Sequence, residues 1–194
     1  MKFSPLKTAL IVLPVIGLAA FLYVIFAAMN PGDRGGLSSY ARGEMSALRI
    51  LDEAPPRPAA PFYDAVGNQR TLQEFDGQVL LVNFWATWCA PCVVEMPALD
   101  EIQAEFGSDD FQVVTISHDR SIEDAREFFE ETGLEHLTLF HDNTFAGATA
   151  VGAPGLPVTI LYDRHGREMA RMPRDAEWAS DDGRALIRAA IDQG

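Results

Sequence analysis

Residues 79–85, VLLVNFW, set six large apolar side chains around one asparagine, with no alternation of polar and apolar positions. A strand with one face in water alternates, whereas an unbroken β-favouring run must be covered on both faces. A second such run, FQVVTIS, spans 111–117. Between them PCVVEMPALDEIQAEF (91–106) carries helical spacing through Val94, Leu99, Ile102 and Phe106. Buried strands alternating with helices indicate a layered α/β/α domain, so the expected class is α/β.

The pattern continues downstream. SIEDAREFFEETG (121–133) reads as a helix with Ser121 as N-cap, Asp124 at the capping-box position and Gly133 as its stop. LTLFHD (137–142) is a short strand and NTFAGATAV (143–151) a short helix. Residues 158–172 read as two strands joined by a turn at His165-Gly166, and 178–191 as a closing amphipathic helix. Upstream, four prolines within 55–61 forbid a helix, which puts the domain at 54–194. Residues 31–53 then form a Gly/Ser/Pro-rich tether with one short helix around GEMSAL (43–48).

Residues 8–29 hold no charge over 22 positions. At about 1.5 Å per residue such a helix spans the ~30 Å core of a bilayer. Residues 1–30 are therefore expected to be a single membrane anchor. Lys2 and Lys7 ahead of it favour a cytoplasmic N-terminus. A cleaved signal peptide fits less well, because its apolar region runs to only about 7–15 residues and small residues are wanted near the cut. Here Ile25 and Phe26 occupy those places. Of the 15 basic residues the two lysines precede the anchor, so 13 arginines face 28 acids beyond it, a net −15. That charge opposes nucleic-acid binding, which rests on neutralising phosphates.

The chain has two cysteines, Cys89 and Cys92, in NFWATWCAPCVVEMP (83–97). A structural zinc site needs four ligands, and His118, His136, His141 and His165 show no paired spacing to complete one. A structural disulfide here would close so short a loop that little unfolded-state entropy is removed. A redox pair has a physical cause. Cys89 falls where a strand ends and a helix begins, and the unsatisfied N–H groups there favour a thiolate. Cys92, one turn on, can resolve a mixed disulfide, and Pro91 costs nothing in a first helical turn.

FWATWCAPC followed by Glu95-Met96-Pro97, with GLPVTILYDRHGRE at 155–168 and WASDDGRALIRAA at 178–190, resembles the TlpA-like branch of the thioredoxin superfamily. These are membrane-anchored thiol:disulfide interchange proteins of the periplasm. The resemblance runs from about residue 43 to residue 190 and implies a thioredoxin-like three-layer α/β/α domain with a central mixed sheet, preceded by one N-terminal transmembrane helix. It makes Cys89 the attacking thiolate and Cys92 the resolving thiol. Pro157 becomes a cis-proline facing the disulfide, Leu156 offers backbone pairing to a client, and Trp88 flanks Cys89. Pro97 would kink the helix. Thioredoxins bury an aspartate where this chain has Asn83, and an amide cannot take a proton from the resolving thiol. Glu95, one turn beyond Cys92, is the expected acceptor, with a surface carboxylate as the alternative. No cofactor and no resident metal are implied.

Direction is not set by the motif. Known couples run from about −270 mV for thioredoxin to about −120 mV for DsbA. Ala90-Pro91 supplies neither charge nor proton donor, and no Arg or Lys lies between residues 71 and 119. A reductase is expected. In an oxidising periplasm it must be recharged across the inner membrane, and the resemblance implies a donor of the DsbD/CcdA kind. The implied clients are a copper chaperone or oxidase subunit in copper-site maturation, or apocytochrome c. The apocytochrome reductases tend to carry Glu after the cis-proline, where this chain has Val158. A Cu(I)-binding chaperone using His118 or His141 with the two thiols is the competing class.

Overall fold

A computed structural model of the chain describes residues 15, 17–22, 36–51, 53 and 55–194. The chain divides into two compact units, Met1–Asp33 and Arg34–Gly194. In the first, the described residues are helical and Val15, Leu18, Phe21 and Leu22 are exposed. Among the described residues no helix is long and apolar enough to cross a membrane; most of the expected anchor at 8–29 lies outside them.

The second unit is built on seven strands: β1 (Phe62–Asp64), β2 (Gln69–Arg70), β3 (Val79–Trp85), β4 (Phe111–Ser117), β5 (Leu139–His141), β6 (Val158–Tyr162) and β7 (Glu168–Met172). Their order across the sheet is β2-β1-β5-β4-β3-β6-β7. β3, β4 and β5 run parallel, while β6, β7, β1 and β2 pair antiparallel, so the sheet is mixed. The β1–β2 hairpin was not among the sequence expectations; its strands are too short to show a period. Four helices pack around the sheet: α1 (Ala90–Phe106), α2 (Ile122–Thr132), α3 (Ala146–Ala150) and α4 (Asp181–Gln193).

Successive residues of β3 divide between two cores, as the pleat demands. Val79, Leu81 and Trp85 join side chains of α1, α2 and α4. Leu80, Val82 and Phe84 join Phe62, Phe140, Ile160 and Ala148 of α3. Burial on both faces is thus what the unbroken apolar run encodes.

Three details depart from the sequence reading. Val94 is 66% exposed, and the buried stripe of α1 runs instead through Cys92, Glu95, Met96, Leu99 and Ile102. Ser121 caps α2 by accepting from the Glu123 amide at 3.3 Å and donating to the Glu123 carboxylate, so Glu123 takes the part expected of Asp124. Gly133 ends that helix in the left-handed region, φ 72°. The domain also begins upstream of residue 54. Leu37, Met45 and Leu48 are buried in the larger core, in and beside 3-10 turns at Leu37–Tyr40 and Gly43–Met45. Bridges Arg49–Arg171 and Pro56–Arg167 then run along the outer edge of β7. The expected tether is therefore, from residue 36, a strap that packs into the domain.

Candidate active site

Where β3 ends, the chain turns and is pinned to the end of β4. The Thr87 amide and hydroxyl donate to the Asp119 carboxylate at 3.1 and 2.7 Å, and Ser117 donates to its second oxygen at 2.8 Å. This fixes the loop carrying Trp88 and Cys89. Cys89 is the N-cap of α1 and has extended backbone; Pro91 follows in the first turn. Cys89 and Cys92 are joined in a disulfide, with S–S 2.03 Å and Cα atoms 5.2 Å apart. Cys92 is fully buried and Cys89 nearly so, while Trp88 beside them is 64% exposed.

The Leu156–Pro157 peptide is cis, as the resemblance implied. Val158 pairs with Phe84 near the end of β3, so this peptide and the disulfide occupy the same end of the sheet. Leu156 is half-buried there. The structure thus gathers Cys89, Cys92, Trp88, Leu156 and Pro157 at one edge of the fold.

Glu95 is only 2% exposed, which removes the surface reading of this carboxylate. Asn83 Nδ2 donates to its Oε1 at 2.8 Å and also to Thr159 Oγ1 at 2.8 Å. Its Oε2 accepts from the Ala176 amide at 3.1 Å and from Trp178 Nε1 at 3.0 Å. Burial disfavours the charged form and pushes the group from 4.5 up to about 7, although these donors oppose the rise. The buried amide of β3 and the acid of α1 are therefore bound to each other. Sequence reasoning identified both residues but not their pairing, and it missed Trp178, whose indole N–H holds the carboxylate from the loop before α4.

Among the described residues no group of three or more His, Cys, Asp or Glu is placed to hold a metal ion. His118 and His141 each direct one ring nitrogen at a backbone carbonyl, of Asp142 and Asp119 respectively.

Residues 53–183 match the Redoxin family model. The chain belongs to the Redoxin family. Among the proteins it is similar to is the thiol:disulfide interchange protein HelX of Rhodobacter capsulatus, 31% identical over 164 residues, 84% of this chain and 85% of HelX. Another is the thiol-disulfide oxidoreductase ResA of Halalkalibacterium halodurans, 28% identical over 53% of this chain and 58% of ResA. A thiol:disulfide interchange protein DsbE of Chlorobium tepidum shares the fold with a TM-score of 0.65 and 27% identity, covering 73% of this chain and 99% of that one. With its two cysteines joined in a CxxC disulfide, this Redoxin-family chain is a TlpA-like thiol:disulfide oxidoreductase acting on protein disulfides.

Proposed function

We propose that the chain works as a reductase of protein disulfides, held at the inner membrane by residues 8–29 with its redox domain in the periplasm. Cys89 attacks the client disulfide and releases one client thiolate. Cys92 gives its proton to Glu95 and attacks Cys89 Sγ, which forms the Cys89–Cys92 bond and expels the second client thiolate. Trp88, the Leu156 backbone and Pro157 receive the client strand. A transmembrane donor of the DsbD/CcdA kind returns two electrons.

One observation carries the direction of flow: apart from Cys92 itself, the only ionisable side chain buried by the cysteine-bearing helix is an acid, Glu95. An acid there opposes the thiolate of the reduced form, so the disulfide is comparatively stable and the dithiol gives electrons readily. The client belongs to cytochrome biogenesis. Val158 after the cis-proline favours a copper chaperone or oxidase subunit whose cysteines must be reduced before copper is loaded. The second reading is apocytochrome c; the long match to HelX supports cytochrome biogenesis, which covers both clients.

Glutathione equilibration of the full chain tests the direction, and a potential below about −220 mV is expected. A value above about −150 mV would make the protein an oxidant and overturn the reading. Resistance of the full chain to alkaline extraction from membranes tests the anchor. Tight stoichiometric Cu(I) binding that depends on His118 or His141 would instead identify a carrier.

A further inference from the structure

Although nearly inaccessible, Glu95 forms part of the wall of a cavity of about 210 Å3, together with Glu44, Val94, Arg174, Asp175, Ala176 and Glu177. A single water occupies about 30 Å3 of liquid, so the cavity has room for several, and its wall is polar enough to hold them. The Ala176 amide that donates to Glu95 Oε2 belongs to this wall. Arg174, Asp175, Glu177, Glu44 and Val94 are exposed, so the cavity opens to solvent through them. The disulfide lies elsewhere: neither cysteine lines this space.

The geometry points to this cavity as the proton exit of the resolving thiol, with Asp175 as a positioning residue that acts through Glu95. The inference rests on the reading of Glu95 as proton acceptor. In each turnover the Cys92 S–H bond breaks and its proton passes to a Glu95 oxygen, as the thiolate electron pair forms the bond to Cys89. The proton must leave before the carboxylate can serve again. The client side is occupied by the mixed disulfide at that moment, so a separate water-filled route lets the proton depart without crossing the docking surface. The charges facing Glu95 are few. Cys92 shares its helix, Arg174, Asp175 and Glu177 come from the loop before α4, Glu44 comes from the strap, and β3 presents only the neutral Asn83. The negative charge of Asp175 holds the Glu95 proton more tightly.

Three measurements on the full chain in detergent test this. In the oxidised protein, the 13C carboxyl resonance of Glu95 should titrate about half a pH unit lower or more in Asp175→Asn. Solvent exchange of the Trp178 indole proton should be about tenfold slower in Val94→Trp, where a bulky ring at an exposed wall position closes the mouth. Either variant behaving as the parent overturns the proposal. Single-turnover reduction of glutathione disulfide by Glu95→Gln separates this from the underlying reading. Loss of the pH step near neutrality in that variant upholds Glu95 as acceptor even where the cavity variants fail. An unchanged pH profile removes the acceptor and the proton exit with it.

Discussion

At the scale of single residues the site turns on Glu95, a nearly inaccessible carboxylate whose three donors do not fully replace the hydration lost on burial. Its folded value near 7 lies above the 4.5 of an unperturbed glutamate. Between those limits the folded protein keeps a proton that the unfolded chain has released. Stability from this group is therefore fully present below about pH 4.5 and is lost as pH rises through 7. The shift corresponds to about 3 kcal/mol. Glu95→Gln keeps the shape, and Asn83 can turn its amide over to accept from the new NH2. Urea unfolding from pH 4.5 to 8 should show the parent losing about 3 kcal/mol relative to the glutamine variant. Parallel curves would show that the fold does not raise this carboxyl. Trp178→Phe withdraws one donor from Oε2, so it should move the same window upward and cost about 1–3 kcal/mol at neutral pH, read in the same series. Asn83 and Glu95 were legible as a question, since the chain lacks the aspartate its resemblance demands. Trp178 was not. It lies 83 residues from its partner, and helical spacing absorbs it into α4.

Elements meet at this site because one of them carries a residue without a side chain. Ser180 caps α4 by accepting from the Gly183 amide at 3.1 Å. A Cβ on Gly183 would lie 2.2 Å from the Trp178 carbonyl oxygen, a backbone atom that cannot move aside alone. In an open helix Gly→Ala gains about 1 kcal/mol. Here Gly183→Ala should instead destabilise, by about 2 kcal/mol or more, because the first turn of α4 must retreat from the loop that presents Trp178 and Ala176 to Glu95. A lower urea midpoint checks this; a higher one would mean that the loop gives way freely. Helix and strand periods were readable wherever one face is buried and the other wet, as in α2 and α4. They misled at Val94, an apolar residue left exposed beside the redox loop, where hydrophobicity no longer reports burial. The capping pair of α2 slipped by one residue because Glu123 and Asp124 are both acids within reach of Ser121, and only geometry chooses between them.

For the molecule as a whole the informative segment is the strap. Its composition, rich in Gly, Ser and flanking Pro, hides three core residues, Leu37, Met45 and Leu48, that show no period because Leu37 and Met45 sit on separate 3-10 turns and Leu48 follows them outside either turn. Leu37 and Met45 are completely buried, and the turns that carry them pack against α4. Removing such side chains from water is worth about 1.5–3 kcal/mol each. Together they approach the 5–15 kcal/mol that holds an ordinary domain folded. The strap also shields the outer edge of β7, where the Arg49 amide donates to the Arg171 carbonyl and the Arg171 amide returns the bond, both at 2.8 Å. A fragment beginning at residue 34 should therefore unfold cooperatively in urea. One beginning at 54, at the boundary suggested by the proline run, should lose most of that stability and expose both the face of α4 and a free sheet edge that invites association. Sedimentation and urea unfolding of the two fragments decide the matter. Equal stability would return residues 36–53 to the part of a spacer. If instead the shorter fragment unfolds, the strap is a fixed member of the redox domain, and the reach of any membrane tether must be counted from residue 36 and not from residue 54.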